Sequence, residues 1–317
     1  MWKRNLQDAN SDLNKKNQRE LWLDVAKCFC IVLVVISHTT IKIPVVTFLG
    51  GMFFLTLFFV AAGYTYRNKG VGFKTFALDK GKRLLVPYFV CNILLVGYFT
   101  IQGGLSKPAV LGIFYSRSML MAPGSVWNMG LMNCLNSPTW FLTCLFLVYC
   151  IYHVIDCKFQ NAMNRRKVIL GCMVLGMILG KVSPVLLPWS LENALFFLGF
   201  VEAGRILKEG GLDWLRKNEW IYANFLIGFV IISYLNVTGN HTVNVSINQF
   251  GRSMVGYFLT GTAGSLLCMK AAELLEKHLK VLAKPLAFVG RHTLPIMCWH
   301  LFAIEVIKKL IAILAVL

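Results

Sequence analysis

Long apolar segments follow one another along nearly the whole chain, and each is close to the roughly 20 residues that a helix needs to cross a bilayer. Hydrophobic residues make up 57% of the 317 positions and charged residues only 15%. The sequence therefore predicts an all-α polytopic integral membrane protein, a bundle of about ten transmembrane helices. The predicted spans are 21–41, 45–66, 84–102, 139–156, 167–182, 190–207, 219–236, 251–272 and a tail, 285–317, that forms one long or two short helices.

Basic residues are concentrated in alternate connecting segments. If the polar residues 1–20 form a cytoplasmic tail, 23 of the 32 Lys and Arg residues lie in segments on the cytoplasmic side. The formal net charge of +18 then reports membrane orientation rather than a nucleic-acid partner. We expect a multi-pass protein of the cell (plasma) membrane, with residues 21–317 as a single domain. The polar start lacks the apolar region of a cleavable signal peptide, so Leu21 is expected to begin an uncleaved anchor.

The first span carries three ionisable side chains, Asp24, Lys27 and His38. Lys27 and His38 are eleven residues apart, which places them on nearly the same helix face and about 16 Å apart along the axis. Asp24 precedes Lys27 by three positions and can pair with it. Ionisable groups inside a membrane are costly unless they serve a partner or a cavity. We therefore interpret this face as functional.

Other polar and aromatic features allow a structural or a functional interpretation. The basic run Lys80, Lys82 and Arg83 suits phosphate binding, but it can also be a plain cytoplasmic anchor. Trp140 is at the start of another span, where an interfacial tryptophan is the common structural interpretation. Structural pairing and catalysis are equally consistent with the in-membrane Glu202 and His300. The long segment 103–138 is expected to be an outer loop, which can fold back over a site as a lid or as a re-entrant piece.

Five motifs, in order, resemble those of the acyltransferase 3 family. They are Lys27 with His38, a Phe-rich span that ends Ala62-Gly63-Tyr64, Lys82-Arg83 ahead of Leu84, Leu85, Pro87 and Tyr88, Trp140-Phe141-Leu142, and Gly290-Arg291-His292-Thr293-Leu294 with His300. The likeness extends over about residues 20–302. Lys27 and Lys80 stand where the family often has Arg. Lys27 with Asp24 is most similar to the branch of fucose 4-O-acetylases and other polysaccharide O-acetyltransferases.

The resemblance implies transfer of an acyl group, usually acetyl, from cytoplasmic acyl-CoA to a carbohydrate hydroxyl. It implies His38 as catalytic base or as covalent acyl carrier, with Asp24 and Lys27 in the catalytic group. Lys80, Lys82 and Arg83 would bind the phosphates of acetyl-CoA, the acyl donor. The substrate-binding residues would be Tyr64, Trp140, His300 and Glu202. No metal is expected, and the ten cysteines include no CxxC pair.

Two alternatives have other functions. A secondary transporter for a polar metabolite or glycan intermediate would also keep ionisable groups inside the membrane. However, no repeated half is found, and a basic residue eleven positions before a histidine has no rationale in transport. A membrane sensor that keeps the same scaffold is the second alternative. The acceptor sugar, the acyl chain length and the oligomeric state are not fixed by the sequence.

Overall fold

A computed structural model describes residues 20–39, 43, 51–101, 107–117, 119–121, 136–239 and 241–314. These residues are mostly helical, which confirms the all-α prediction. The helices are α1 (Leu21–Ser37), α2 (Gly51–Phe53), α3 (Thr56–Thr65), α4 (Phe73–Ile101), α5 (Lys107–Tyr115), α6 (Trp140–Lys158), α7 (Ala162–Val182), α8 (Leu191–Ile206), α9 (Leu212–Lys217), α10 (Ile221–Val237), α11 (Met254–His278), α12 (Lys280–Arg291) and α13 (Thr293–Leu314). Strands β1 (Val243–Asn244) and β2 (Gln249–Phe250) form a short antiparallel ribbon.

Most of the helices lie where the apolar segments predict them. The observed and predicted helix bounds differ where the chain is polar. Helix α4 begins at Phe73, so the basic run that precedes its apolar part is itself helical. The tail forms two helices, α12 and α13, with His292 between them. Helix α5 lies within the long outer segment 103–138, of which residues 103–106, 118 and 122–135 are outside the described part.

Helix α8 lies at the centre of the bundle and packs on α3, α6 and α7. Its side chains Phe196, Phe197 and Phe200 are fully buried. Gly63 of α3 lies against the carbonyl oxygen of Val201, and Gly204 of α8 lies against that of Val60. A side chain at either glycine would collide with the opposite backbone. These small residues allow the close crossing of two membrane helices.

Large apolar side chains also cover much of the outer surface. Val86, Val90 and Ile93 of α4 are about half exposed or more, as are Leu226 and Val230 of α10. Their spacing of three or four residues places them on one face of each helix. An apolar patch of this extent on the outside of a bundle is typical of a surface that contacts lipid.

Within the described residues, only Ser137–Lys158 is a single unbroken helix both long and apolar enough to cross a bilayer. The stretch Pro188–Lys217, which contains α8 and α9, meets these criteria together with Ile221–Val237, which is α10. The two stretches are bent by 104° relative to each other. Charged residues interrupt the length of other helices, such as Arg165 and Arg166 in α7. The prediction of about ten spans therefore stays a prediction.

Candidate functional site

His38 lies at the carboxyl end of α1, where its backbone caps the helix. Its Nδ1 lies 2.8 Å from the carbonyl oxygen of Val34, one turn earlier. Since a carbonyl oxygen only accepts hydrogen bonds, Nδ1 is the donor of this bond. In the neutral form of the imidazole, the lone pair is then on Nε2. This tautomer makes Nε2 the nitrogen that can remove a proton from a substrate.

His300 of α13 lies beside His38, with 5.1 Å between the ring centres and an edge-to-face angle of 74°. Its Nδ1 lies 3.0 Å from the carbonyl oxygens of Ile296 and Met297, so its lone pair is on Nε2 as well. His300 is 5% exposed, and Nε2 has no hydrogen-bond partner among the described residues. A buried polar atom of this kind usually requires a partner, which a substrate or a water can supply.

A cavity of about 320 Å³ lies at His38, and we name it cavity A. Its lining includes Trp140 at the start of α6 and the segment Val243–Ser246. Hydroxyl and amide side chains contribute to its walls, from Ser37, Ser137, Asn244 and Ser246. Its volume is within the range of small-molecule sites. Trp140 and His38 therefore line the same cavity.

A second cavity, of about 380 Å³, also has His38 in its lining, and we name it cavity B. It lies between α4 and α13 and is lined mainly by apolar side chains, including Leu95, Leu301 and Ile304. His38 thus lies at the junction of a cavity with polar walls and a cavity with apolar walls.

Asp24 and Lys27 lie at the opposite end of α1. The Lys27 ammonium is 3.5 Å from Oδ1 of Asp24, and Nε of Arg291 on α12 is 3.2 Å from Oδ2. Asp24 therefore links α1 to α12. With a helix rise of 1.5 Å per residue, eleven residues separate Lys27 from His38 by about 16 Å. Asp24 and Lys27 therefore support α1, the helix that carries His38. At this distance, Lys27 and His38 could contact one substrate only if that substrate were long enough to reach both side chains.

We predict that Asp24→Asn destabilises the protein, because Asp24 is only 1% exposed and the cations Lys27 and Arg291 lose a counter-charge. We expect about 1–2 kcal/mol, less than for a fully buried pair, because the Arg291 side chain is 44% exposed. Thermal unfolding in detergent measures the change. The matched control is Asp213→Asn, which breaks an exposed pair with Arg216. Equal stability of both variants would contradict the linking role of Asp24.

The basic run on α4 divides between two faces. The Lys80 ammonium lies over the ring of Tyr149, 4.1 Å from its centre, and burial lowers the pKa of this lysine. Lys82 and Arg83 are exposed, and Arg83 pairs with Asp79 at 3.2 Å. Lys82 and Arg83 are therefore accessible to an anionic ligand, whereas Lys80 is held by the aromatic rings.

Tyr64 lies at the Asp24 end of α1 and not at the cavities beside His38. Its ring contacts that of Trp22 at 5.4 Å, and the Lys208 ammonium lies 4.5 Å from the ring centre. A substrate role for Tyr64 would therefore apply at this end of the bundle.

Glu202 is buried in an ion-pair network. It accepts a hydrogen bond of 2.6 Å from Tyr152 and 3.2 Å bonds from Arg165 and Arg166. Neither cavity has Glu202 among its described lining residues. These contacts give Glu202 a packing role between α6, α7 and α8, and its predicted substrate contact stays a prediction.

Arg117 is a residue of this region that the sequence patterns miss. It is fully buried and pairs with Glu192 of α8. It also donates to the carbonyl oxygen of Leu187 at 3.0 Å and to that of Ser246 at 2.7 Å. Arg117 thereby holds one wall of cavity A. Its only signal in the sequence is that it is one of the few basic residues in the segment 103–138, which lies outside the predicted spans.

A family model described as an acyltransferase domain matches residues 20–317 of the chain. No curated protein and no solved structure matches the chain. Within the described residues, no group of three or more His, Cys, Asp or Glu side chains is placed to hold a metal ion.

Proposed function

Because the chain belongs to the acyltransferase 3 family of membrane acyltransferases, we propose that it is an O-acetyltransferase. It moves acetyl from cytoplasmic acetyl-CoA to a hydroxyl of a cell-surface or exported glycan. The observation that supports this most is the position of His38, whose Nδ1 is bonded to Val34, at the junction of two cavities. A sugar hydroxyl is a poor nucleophile at neutral pH and requires such a base.

In the proposed reaction, Nε2 of His38 takes the proton of the glycan hydroxyl while its oxygen attacks the thioester carbonyl carbon. The tetrahedral intermediate collapses to the O-acetyl ester and releases CoA. The leaving thiolate takes this proton from the His38 imidazolium, which returns to its neutral state. His300 is not among the described lining residues of either cavity, but it lies beside His38, and in this proposal its Nε2 accepts a hydrogen bond from another sugar hydroxyl. Trp140 covers the sugar in cavity A.

The donor enters from the other end of the bundle in this proposal. Lys82 and Arg83 are exposed there and suit the phosphates of CoA. Lys208 lies between α8 and α9, Arg216 in the last turn of α9 and Lys270 in the second half of α11, and these basic residues agree with a cytoplasmic side rich in positive charge. We therefore place the N-terminus in the cytoplasm and the protein, multi-pass, in the plasma membrane. Labelling of a cysteine introduced at 160 from outside intact cells would contradict this orientation.

Acetyl transfer in isolated membranes tests the function. Radiolabelled acetyl-CoA and a glycan acceptor are supplied to membranes with and without the protein, and O-acetyl ester is measured. We expect ester only with the protein. A transporter would instead accumulate the glycan unmodified. With a transporter, ester would not form from any acceptor or any acyl-CoA supplied.

A covalent intermediate would leave a different trace. If His38 carried the acetyl group, protein incubated with donor alone would hold label that hydroxylamine releases. The direct mechanism predicts no such label.

A further inference from the structure

Helix α12 lies at the end of the bundle where α1 starts. Four residues before α12, Glu276 of α11 accepts a hydrogen bond of 3.0 Å from the backbone N–H of Trp22. Near the end of α12, Gly290 packs on the carbonyl oxygen of Asp24. Both flanks of α12 are therefore beside the first turn of α1, which is the cytoplasmic end in the orientation proposed above.

The surface of α12 has a buried side of small residues and an exposed apolar ridge. Ala283, Ala287 and Gly290 are buried. Val281 is 85% exposed and Phe288 is 63% exposed. At 100° per residue these two side chains lie within about 20° of each other, so they form one ridge. Large apolar side chains at this exposure are unfavourable in water and favourable in lipid.

A basic stripe runs along α12 beside the apolar ridge. Lys280, Lys284 and Arg291 fall within about 40° of one another around the helix, and α12 contains no acidic residue. Arg291 pairs with Asp24 of α1. Lys280 and Lys284 are exposed, and within the described part of the chain neither belongs to an ion pair. The charge of these two lysines is therefore available to an anionic ligand.

The combination of ridge and stripe selects one class of ligand. Lysines beside exposed apolar side chains are typical of a helix at the membrane surface, where the apolar groups enter the lipid and the ammonium groups reach the headgroups. A soluble anion such as CoA would contact Lys280 and Lys284 but would leave Val281 and Phe288 in water. A phospholipid with an anionic headgroup contacts both sets of side chains.

We propose that α12 is an interfacial helix that binds anionic phospholipid in the cytoplasmic leaflet. Lys280 and Lys284 contact the headgroup, and Val281 and Phe288 contact the acyl chains. Because α12 packs on α1, bound lipid also stabilises the contact between these two helices. This proposal goes beyond acyl transfer and depends on the proposed orientation of α1.

Lipid crosslinking to the full-length protein tests the proposal. The protein is reconstituted in phosphatidylcholine vesicles with a trace of phosphatidylglycerol or of phosphatidylcholine that carries a photoreactive group near its headgroup, and crosslinked peptides are mapped. We expect the anionic probe to label residues 279–292 about tenfold more than the neutral probe, since each lysine at the surface contributes about fivefold to the binding of an anionic lipid.

Two double variants separate α12 from the overall charge of the protein. Lys280→Gln with Lys284→Gln should remove the preference for the anionic probe at residues 279–292. The matched control is Lys158→Gln with Lys167→Gln, which removes the same charge from exposed positions on α6 and α7. We expect this control to keep the preference within about twofold of wild type.

Several results would overturn the proposal. Equal labelling of residues 279–292 by both probes in wild type would show no headgroup preference, and no labelling there would place α12 away from the bilayer. Equal loss in both double variants would assign the effect to net charge alone. If the lysines bound CoA instead, the α12 variant would raise KM for acetyl-CoA and keep its crosslinks. Because crosslinking does not require catalysis, a failure of the proposed acyl transfer would be distinguished from a failure of this proposal.

Discussion

His38→Ala is expected to lower acetyl transfer by a factor of about 10²–10⁴, the usual contribution of a general base. The loss should be in kcat, because the imidazole acts on the proton that moves in the transition state. The hydrogen bonds that the structure gives to His38 join it to Val34 and Ser37 within the last turn of α1, and its side chain is exposed. Protein level and thermal stability should therefore stay close to wild type.

His292→Ala is the matched control for this variant. His292 is exposed, and its Nδ1 lies 2.7 Å from the carbonyl oxygen of Phe288, again one turn earlier. It is not among the described lining residues of either cavity. We expect its activity to remain within about twofold of wild type. Equal losses in both variants would show that the effect comes from helix ends and not from a base at position 38.

Gly290→Ala is expected to have the largest effect on stability. Gly290 packs directly on the backbone carbonyl oxygen of Asp24, and a Cβ at this position would overlap that oxygen. The obstacle is helix backbone, so the clash is relieved only if α12 moves away from α1. We expect a loss of about 3 kcal/mol or more, at the upper end of overpacking effects. The gain of up to about 1 kcal/mol in helix propensity offsets only part of it.

Gly171→Ala tests whether that loss comes from the close approach. Gly171 lies inside α7, and an added Cβ there meets open space. We expect unchanged or slightly higher stability in thermal unfolding, since only helix propensity changes. The hypothesis of a tight α1–α12 contact would be contradicted if both alanine variants unfolded at the same temperature.

Periodicity predicts the placement of residues within one helix. The spacing of Lys27 and His38 follows from the turn of an α-helix, and the pairing of Asp24 with Lys27 follows from a separation of three. The order of helices is predicted from the apolar segments for the same reason. These properties depend on local geometry alone.

Contacts between distant segments could not be predicted in the same way. Arg291 meets Asp24 across 267 positions, and Arg117 meets Ser246 across 129. Both depend on how helices pack and how connecting segments fold, which no local spacing encodes. The same reason explains why Tyr64, which belongs to a family motif, lies at the Asp24 end. Its neighbours Trp22 and Lys208 are fixed by tertiary packing.

The most direct test uses proteoliposomes that hold radiolabelled acetyl-CoA inside, with the glycan acceptor supplied outside. Vesicles with the protein oriented by a tag are compared with vesicles that contain His38→Ala. We expect O-acetyl ester on the external glycan with wild type and almost none with the variant. Glycan that accumulates inside without an ester, or ester formed equally by both proteins, would contradict an acetyltransferase that acts through His38.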